Sequence, residues 1–469
     1  MKSVSTLGRT SEAAPRLVVA HADGSYFDHP TLEMLIWDGD RLRAPLRHEL
    51  IPLPLGSDLF VLPGRVALGR DPESRRVVAV PQGPDGEPVL PLSAFAAPAH
   101  VRLGHPAYET LAGAPDLSLY AYGPVGWLHG RLYTAAVRVD ADQRQDPYRF
   151  DVDEIRQRVV QFKVRYPSNA TVRHLEHCAL GYHCRAAQNY FLGRYEAPLP
   201  AASTCNAACL GCISEQPDVN VTAAHKRLSI PANTNDLIEV ALGHLERVPK
   251  GVVSFGQGCE GEPLVQGPVL EAAIRGIRAR TSAGVINLNS NASLPKVVAR
   301  LADAGLDAIR ISLNSARPLY YERYYRPTGY GLADVLQSAR EMRSRGRYVS
   351  LNYFVFPGVS DSKPEYEALS EMIEAGGVNL IQLRNLNIDP ELYLRELGDG
   401  AVVAPIGVLP WIHLLRQRFP HLRFGYFNPP RSRFGRPGPL PGAKLPVVVP
   451  AHSARTKQGG GDATTRTGV

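Results

Sequence analysis

Ser203-Thr204-Cys205-Asn206-Ala207-Ala208-Cys209-Leu210-Gly211-Cys212-Ile213 decides how this chain is read. It sets three cysteines at C-x3-C-x2-C spacing, directly after Pro198, Pro200 and an apolar, strand-like lead-in. Three thiolates this close in sequence can wrap one small inorganic object, and thiolates are the ligands of Fe–S clusters. A cube of four irons held by only three cysteines leaves one iron open to a substrate or cofactor. A structural zinc site wants four closed ligands, and no histidine follows closely here. The stretch therefore argues for a reactive cluster on Cys205, Cys209 and Cys212.

Further signals follow in order. Gly261-Glu262-Pro263 comes after the apolar run Val252-Val253-Ser254-Phe255. Asn289-Ser290-Asn291 ends the next run, and Ser312-Leu313-Asn314 ends the one after it. Asn352 lies in Ser350-Leu351-Asn352-Tyr353-Phe354-Val355, ahead of a Pro-Gly-Val-Ser-Asp turn. Together with the cysteines these resemble the radical S-adenosylmethionine (radical SAM) superfamily. G-E-P is similar to its GGEP motif, the asparagine turn to its T-N-G, and S-L-N to its S-L-D. The resemblance spans roughly residues 196–425, about half of the chain.

The resemblance implies a [4Fe–4S] cluster on the three cysteines, with SAM chelating the fourth iron. Reductive cleavage would then give a 5′-deoxyadenosyl radical that abstracts hydrogen from a substrate. It also implies SAM contacts from Gly261, Glu262, Pro263, Asn291, Ser312 and Asn352, and an external reductant of flavodoxin or ferredoxin type. Gly256-Gln257-Gly258-Cys259-Glu260 departs from the family spelling by extra residues. Either that turn is enlarged, or Gln257 and Cys259 take part in the site. Cys259 and Arg384 are the candidate catalytic residues. Arginine inside a barrel is costly unless paired, so Arg310 and Arg384 are expected to meet an anion, with Arg384 able to grip a carboxylate bidentately.

From Ala197 onward apolar runs near 251–255, 285–289, 308–313, 349–356 and 379–383 alternate with amphipathic segments. Alternation of this kind implies parallel strands with right-handed crossovers. With the cysteine-bearing strand there are six, which matches the partial (β/α)6 TIM-type barrel that the resemblance implies. In such folds chemistry sits at the carboxyl ends of the strands, where every motif above falls. The run Tyr320-Tyr321-Glu322-Arg323-Tyr324-Tyr325 is similar to a family helix entry, whose tyrosines either line the pocket or pack on the barrel. Ile406 to Phe419 reads as a helix and Leu422–Phe427 as an edge strand.

Ahead of this α/β core, residues 1–150 read as a β-rich domain of unknown role. Leu32–Trp37, Leu59–Leu62, Val77–Val80, Tyr120–Tyr122 and Leu132–Val137 are short apolar runs, most of them closed by turn residues. Residues 151–196 switch to helical spacing through Val152, Ile155, Val159 and Phe162. This connector also carries two cysteines and three histidines between His174 and Cys184. Cys178 and Cys184 are either two packed core cysteines or part of a second metal site that includes Cys259. Residues 197–427 are the radical SAM core that the resemblance implies.

The net charge of +7 is mostly a tail property, because the residues from Asn428 onward carry +6 of it. That basic, Pro/Gly-rich tail, 428–469, is expected to be disordered rather than a nucleic-acid grip. No apolar run approaches the roughly 18 residues of a membrane helix, and the N-terminus lacks a signal-peptide core. Six cysteines, three of them clustered, suit a reduced cytoplasm. Two further function classes stay open, an Fe–S electron-transfer or sensing protein and a zinc-binding interaction module. The substrate is not legible.

Overall fold

The computed structural model describes residues 14–216, 223–229 and 231–436. Its centre is a parallel sheet whose spatial order repeats the chain order. The strands are β1 (Glu196–Pro198), β2 (Val252–Phe255), β3 (Val285–Ser290), β4 (Ala308–Leu313), β5 (Tyr348–Val355), β6 (Leu380–Asn385) and β7 (Arg423–Gly425). The segment read as an edge strand thus adds a seventh, pairing Leu380 with Arg423 and Gln382 with Gly425. β2 and β3 are buried at every position, as expected of strands covered on both faces. Helices cross between the strands where amphipathic spacing places them. In Gly267–Arg278, for example, Leu270, Ala273, Ile274 and Ile277 form one buried stripe.

The sheet curls until its ends approach. Asn428 donates through Nδ2 to Glu196 of β1 at 2.8 Å, and its Oδ1 accepts from Gln382 Nε2 of β6 at 2.8 Å. This corrects the expected tail at its start, because residues 428–436 are ordered. Asn428 is buried, and a short 3-10 turn follows at Arg431–Arg433. The remainder of that segment, like the polar residues 1–13, lies outside the described residues.

Three helices precede β1: α1 (Val152–Arg165), α2 (Ala170–Leu180) and α3 (Arg185–Phe191). Asp151 caps α1 by accepting from the Asp153 and Glu154 amides, and Asn169 caps α2 through the Val172 amide. Cys178 therefore sits within α2, while Cys184 opens α3.

The N-terminal segment builds an eleven-stranded antiparallel sheet and a three-stranded one. Tyr120–Tyr122 is a correction: it forms no strand. Tyr120 instead stacks on Phe60, and the Tyr122 hydroxyl donates to the Ser118 carbonyl. Val101, Leu103, Val137 and Val139 of this segment join one apolar core with α1–α3 and the parallel sheet. Strand His100–Arg102 lies against the carboxyl ends of the core strands. Arg102 N–H donates to Asn385 Oδ1 at 3.0 Å, and Asn385 Nδ2 donates to the His100 carbonyl at 3.0 Å.

A buried ion pair locks this contact. Arg65 lies 3.0 Å from Asp389, and the two side chains are 2% and 0% exposed. Asp389 also caps helix Pro390–Leu397 and accepts from the Leu117 amide. Asp389→Ala is expected to lower unfolding free energy by about 3 kcal/mol, because it removes the buried partner of the Arg65 guanidinium and leaves only the more exposed Glu391, at 3.5 Å. Asp389→Asn should cost less, since its side-chain oxygen can still cap the helix. Chemical denaturation of both variants reads the difference. Among the described residues, no helix is long and apolar enough to cross a membrane.

Candidate functional site

A cavity of about 470 Å³ opens at the carboxyl ends of the parallel strands. Cys205, Cys209 and Cys212 all line it, and all three are free thiols. Their loop is held by backbone bonds rather than by sulfur. Ala208 N–H and Leu210 N–H donate to the carbonyls of Tyr325 and Tyr324 at 3.1 and 3.0 Å. Those tyrosines end helix Pro318–Tyr325 and line the cavity too, so the run is both a packed helix and a pocket wall. Burial pushes the Cys205 and Cys209 thiols up. The Glu262 carboxylate adds to this at Cys205, and the neighbouring cysteines add to it at Cys209.

The Gly-Glu-Pro turn lies beside the approach to the cysteines. Gly261 N–H donates to the Ala202 carbonyl at 2.7 Å, and Glu262 N–H donates to Thr204 at 2.9 Å. A Cβ on Gly261 would overlap the Thr204 carbonyl, so only glycine fits. The turn is enlarged, and Glu260 within it is an anchor. Glu260, which the motif reading passed over, accepts from the amides of Ala201, Ala202 and Gln257 at 2.6–2.8 Å. Its only sequence signal was an acid one position from the motif. Gln257 lines the cavity but spends its amide on the Ser254 carbonyl.

Glu262 is fully employed as well. Its carboxylate accepts from Ser290 Oγ at 2.6 Å, Asn291 N–H at 2.8 Å and Leu264 N–H at 3.0 Å. Burial raises Glu262 and Glu260 alike to about 7, against the hydrogen bonds that favour their ions. The Asn291 side chain donates to Asn206 Oδ1, which couples the end of β3 to the cysteine loop. Glu262 and Asn291 thus tie the turn, β3 and the cysteine loop into one frame.

Ser312 and Asn352 face each other across β4 and β5 and reach the cavity. Asn352 Oδ1 is buried without a hydrogen-bond partner, an acceptor aimed at a missing donor. Arg310 and Arg384 line the same wall. Among the described residues Arg310 reaches only Gln382 Oε1, at 3.4 Å, and burial followed by the nearby Arg384 charge brings its guanidinium down to about 9. Arg384 donates to the Tyr426 carbonyl at 2.9 Å and lies 3.9 Å above that ring. No carboxylate forms an ion pair with either guanidinium among the described residues.

Cys259 does not line this cavity. Its sulfur faces Cys178 Sγ at 3.9 Å and His174 Nε2 at 3.4 Å, while Cys184 stays outside the trio. Sequence reasoning also missed Phe95, Ala97, Pro98 and His100, which close the cavity from the N-terminal sheet, and the buried Asn428.

Residues 199–370 match the family model described as the Radical SAM superfamily. No curated protein matches the sequence. Among solved structures the chain is similar to HydG, a maturase of the [FeFe]-hydrogenase, at 14% identity over 59% of this chain and 66% of that one, TM-score 0.36. It is similar to SuiB of Streptococcus suis bound to precursor peptide SuiA, at 13% identity over 54% and 52%, TM-score 0.33. A radical SAM methyltransferase from Sphaerobacter thermophilus follows, at 15% identity over 49% and 66%, TM-score 0.33. The chain spans just under two thirds of the first and third of these, and about half of the second.

The family's cofactors are a [4Fe–4S] cluster and SAM, and the residues present fit both. Three free thiols, Cys205, Cys209 and Cys212, line one cavity. Beside them lie the unpartnered Asn352 oxygen and a glycine that lets the backbone come close. The volume falls within the range of about 300–1,000 Å³ typical of small-molecule pockets.

Proposed function

We propose, from the premise that residues 199–370 belong to the radical SAM superfamily, that this chain is a radical SAM enzyme acting on a substrate admitted between its parallel sheet and its N-terminal sheet. The observation that carries this is the convergence of Cys205, Cys209 and Cys212 on a cavity that also holds an unpaired Asn352 oxygen and two guanidinium groups. The curled sheet is read as a partial (β/α)6 barrel extended by β7. Residues 1–150, 151–196 and 197–427 are read as its lid domain, connector and core.

When bound, the cluster and SAM supply a 5′-deoxyadenosyl radical, with the electron coming from an external one-electron reductant. The chain's own residues hold and shape. Cys205, Cys209 and Cys212 ligate iron. The Gly261-Glu262-Pro263 turn offers backbone carbonyls to the SAM amino group, while Glu262 fixes Asn291 against the cysteine loop. Ser312 and Asn352 present a hydroxyl and an amide to ribose or methionine atoms. Arg310 and Arg384 receive an anionic group, and the N-terminal strand His100–Arg102 helps keep water from the cavity.

Anaerobically reconstituted protein given dithionite and SAM is expected to release 5′-deoxyadenosine and methionine. Iron-loaded protein that produces none overturns the reading in favour of an electron-transfer or sensing role. Arg384→Ala is expected to weaken an anionic ligand about tenfold or more, the size of a hydrogen bond to a charged group. Calorimetric titration with SAM checks whether its carboxylate is that anion. Unchanged SAM affinity assigns Arg384 to the substrate.

A further inference from the structure

We infer that His174, Cys178 and Cys259 hold a zinc ion at a second site, separate from the three cysteines of the cavity. His174 and Cys178 stand one turn apart on α2, and this i, i+4 spacing puts both on one face. Cys259 approaches from the enlarged turn after β2. The three donor atoms lie at 3.4, 3.4 and 3.9 Å from one another. A tetrahedral zinc with bonds of about 2.3 Å to sulfur and about 2.0–2.1 Å to imidazole sets sulfurs about 3.8 Å apart and nitrogen about 3.6 Å from sulfur. The trio already has the shape of one face of that tetrahedron. Cys184 opens α3 beside it, its amide bonded to the Cys178 carbonyl at 2.9 Å, but it is not one of the three grouped donors.

The alternatives fit less well. Thiolates of an Fe–S cluster commonly bind different irons and so stand farther apart than two thiolates on one ion. A disulfide would draw the sulfurs to about 2.05 Å and leave the imidazole without a role. Two buried thiols meeting an imidazole, with no ion-pair partner for the histidine among the described residues, is a surrounding in which a divalent cation offsets the cost of deprotonating sulfur. Zinc here would brace the cofactor site. The turn that carries Cys259 also carries Glu260 and Gly261, whose bonds hold Ala201 and Ala202 just ahead of Cys205. The Cys259 carbonyl in addition accepts from the Leu228 amide at 2.8 Å. The ion would fasten α2 to the strand approach of the cysteine loop.

Zinc and iron are counted by mass spectrometry on the full chain purified anaerobically, as wild type and as variants. About one zinc per chain is expected beside the iron. The triple variant Cys205→Ala, Cys209→Ala, Cys212→Ala should lose iron and keep the zinc. His174→Ala, Cys178→Ser and Cys259→Ser should each lower zinc about fivefold or more while iron is still taken up. Cobalt(II) added in place of zinc should give a thiolate-to-metal charge-transfer band in wild type and triple variant, lost in Cys259→Ser. If these variants do not fold, the wild-type zinc count and cobalt band still decide. Absence of both overturns the inference, as do iron and sulfide at this site in the triple variant, zinc unaffected by all three single substitutions, or a Cys178–Cys259 disulfide found by peptide mass.

Discussion

Replacing Cys205, Cys209 and Cys212 together with alanine is expected to remove the cavity's iron and to abolish 5′-deoxyadenosine formation. Each single replacement should do nearly the same. Three thiolates are the fewest that hold a four-iron cube with one corner open, and two leave a second iron without a protein ligand. The fold should survive, because sulfur does not position this loop. The Ala208 and Leu210 amides are anchored on the Tyr325 and Tyr324 carbonyls, and Thr328 N–H donates to the Asn206 carbonyl at 2.9 Å. The cysteines are also only partly buried, so their loss opens no large core cavity. Iron and sulfide counts, the ultraviolet circular dichroism spectrum and the deoxyadenosine assay read the outcome together. A triple variant that keeps wild-type iron and sulfide would place the cluster on other residues.

That prediction rests on what the sequence made legible, namely local pattern. Apolar runs near 251–255, 285–289 and 308–313 became strands within a residue or two, because buried parallel strands need continuous apolar stretches. Asn291 and Ser312 fell at strand ends because the same runs fix where strands stop, whereas Asn352 lies within β5 and Gly261-Glu262-Pro263 in the turn beyond β2. What stayed hidden depends on contacts between residues far apart in the chain. Asn428 stands before Pro429 and Pro430, in a composition that reads as solvated tail. Only the structure shows it joining Glu196 and Gln382, 232 and 46 positions away.

Cys259 shows the same limit from the other side. Its neighbours in sequence belong to the cofactor turn, which made it a candidate catalytic thiol. Which way the side chain faces is set by the enlarged turn, and it faces α2. Glu260, not Cys259, turned out to tie that turn to the cysteine approach. The closure of the cavity by Phe95, Ala97, Pro98 and His100 was equally beyond reach, since no pattern in a short β-rich stretch tells which strand docks on a distant sheet.

Gly261→Ala is expected to damage the site as severely as loss of a ligand, though the change adds a single methyl. The new Cβ would meet the carbonyl carbon and oxygen of Thr204, which are backbone and cannot rotate away. Relief requires parting residues 261–262 from 202–204 and breaking the bonds from Gly261 to Ala202 and from Glu262 to Thr204. Overpacking commonly costs about 1–3 kcal/mol and more against rigid atoms, and here the displaced strand leads straight into Cys205. Iron retention and deoxyadenosine yield should both fall by about a hundredfold, the equivalent of about 2.7 kcal/mol. Gly258→Ala in the same turn is the control. Among the described residues its Cβ would meet only side-chain atoms of Ile213, Cδ1 at 2.5 Å and Cγ1 at 3.3 Å, which can shift by a rotamer change where backbone cannot. A Gly258→Ala protein close to wild type beside an inactive, iron-poor Gly261→Ala protein supports the close backbone approach. A Gly261→Ala protein as active and iron-loaded as wild type would show that the cysteine loop does not depend on this close approach.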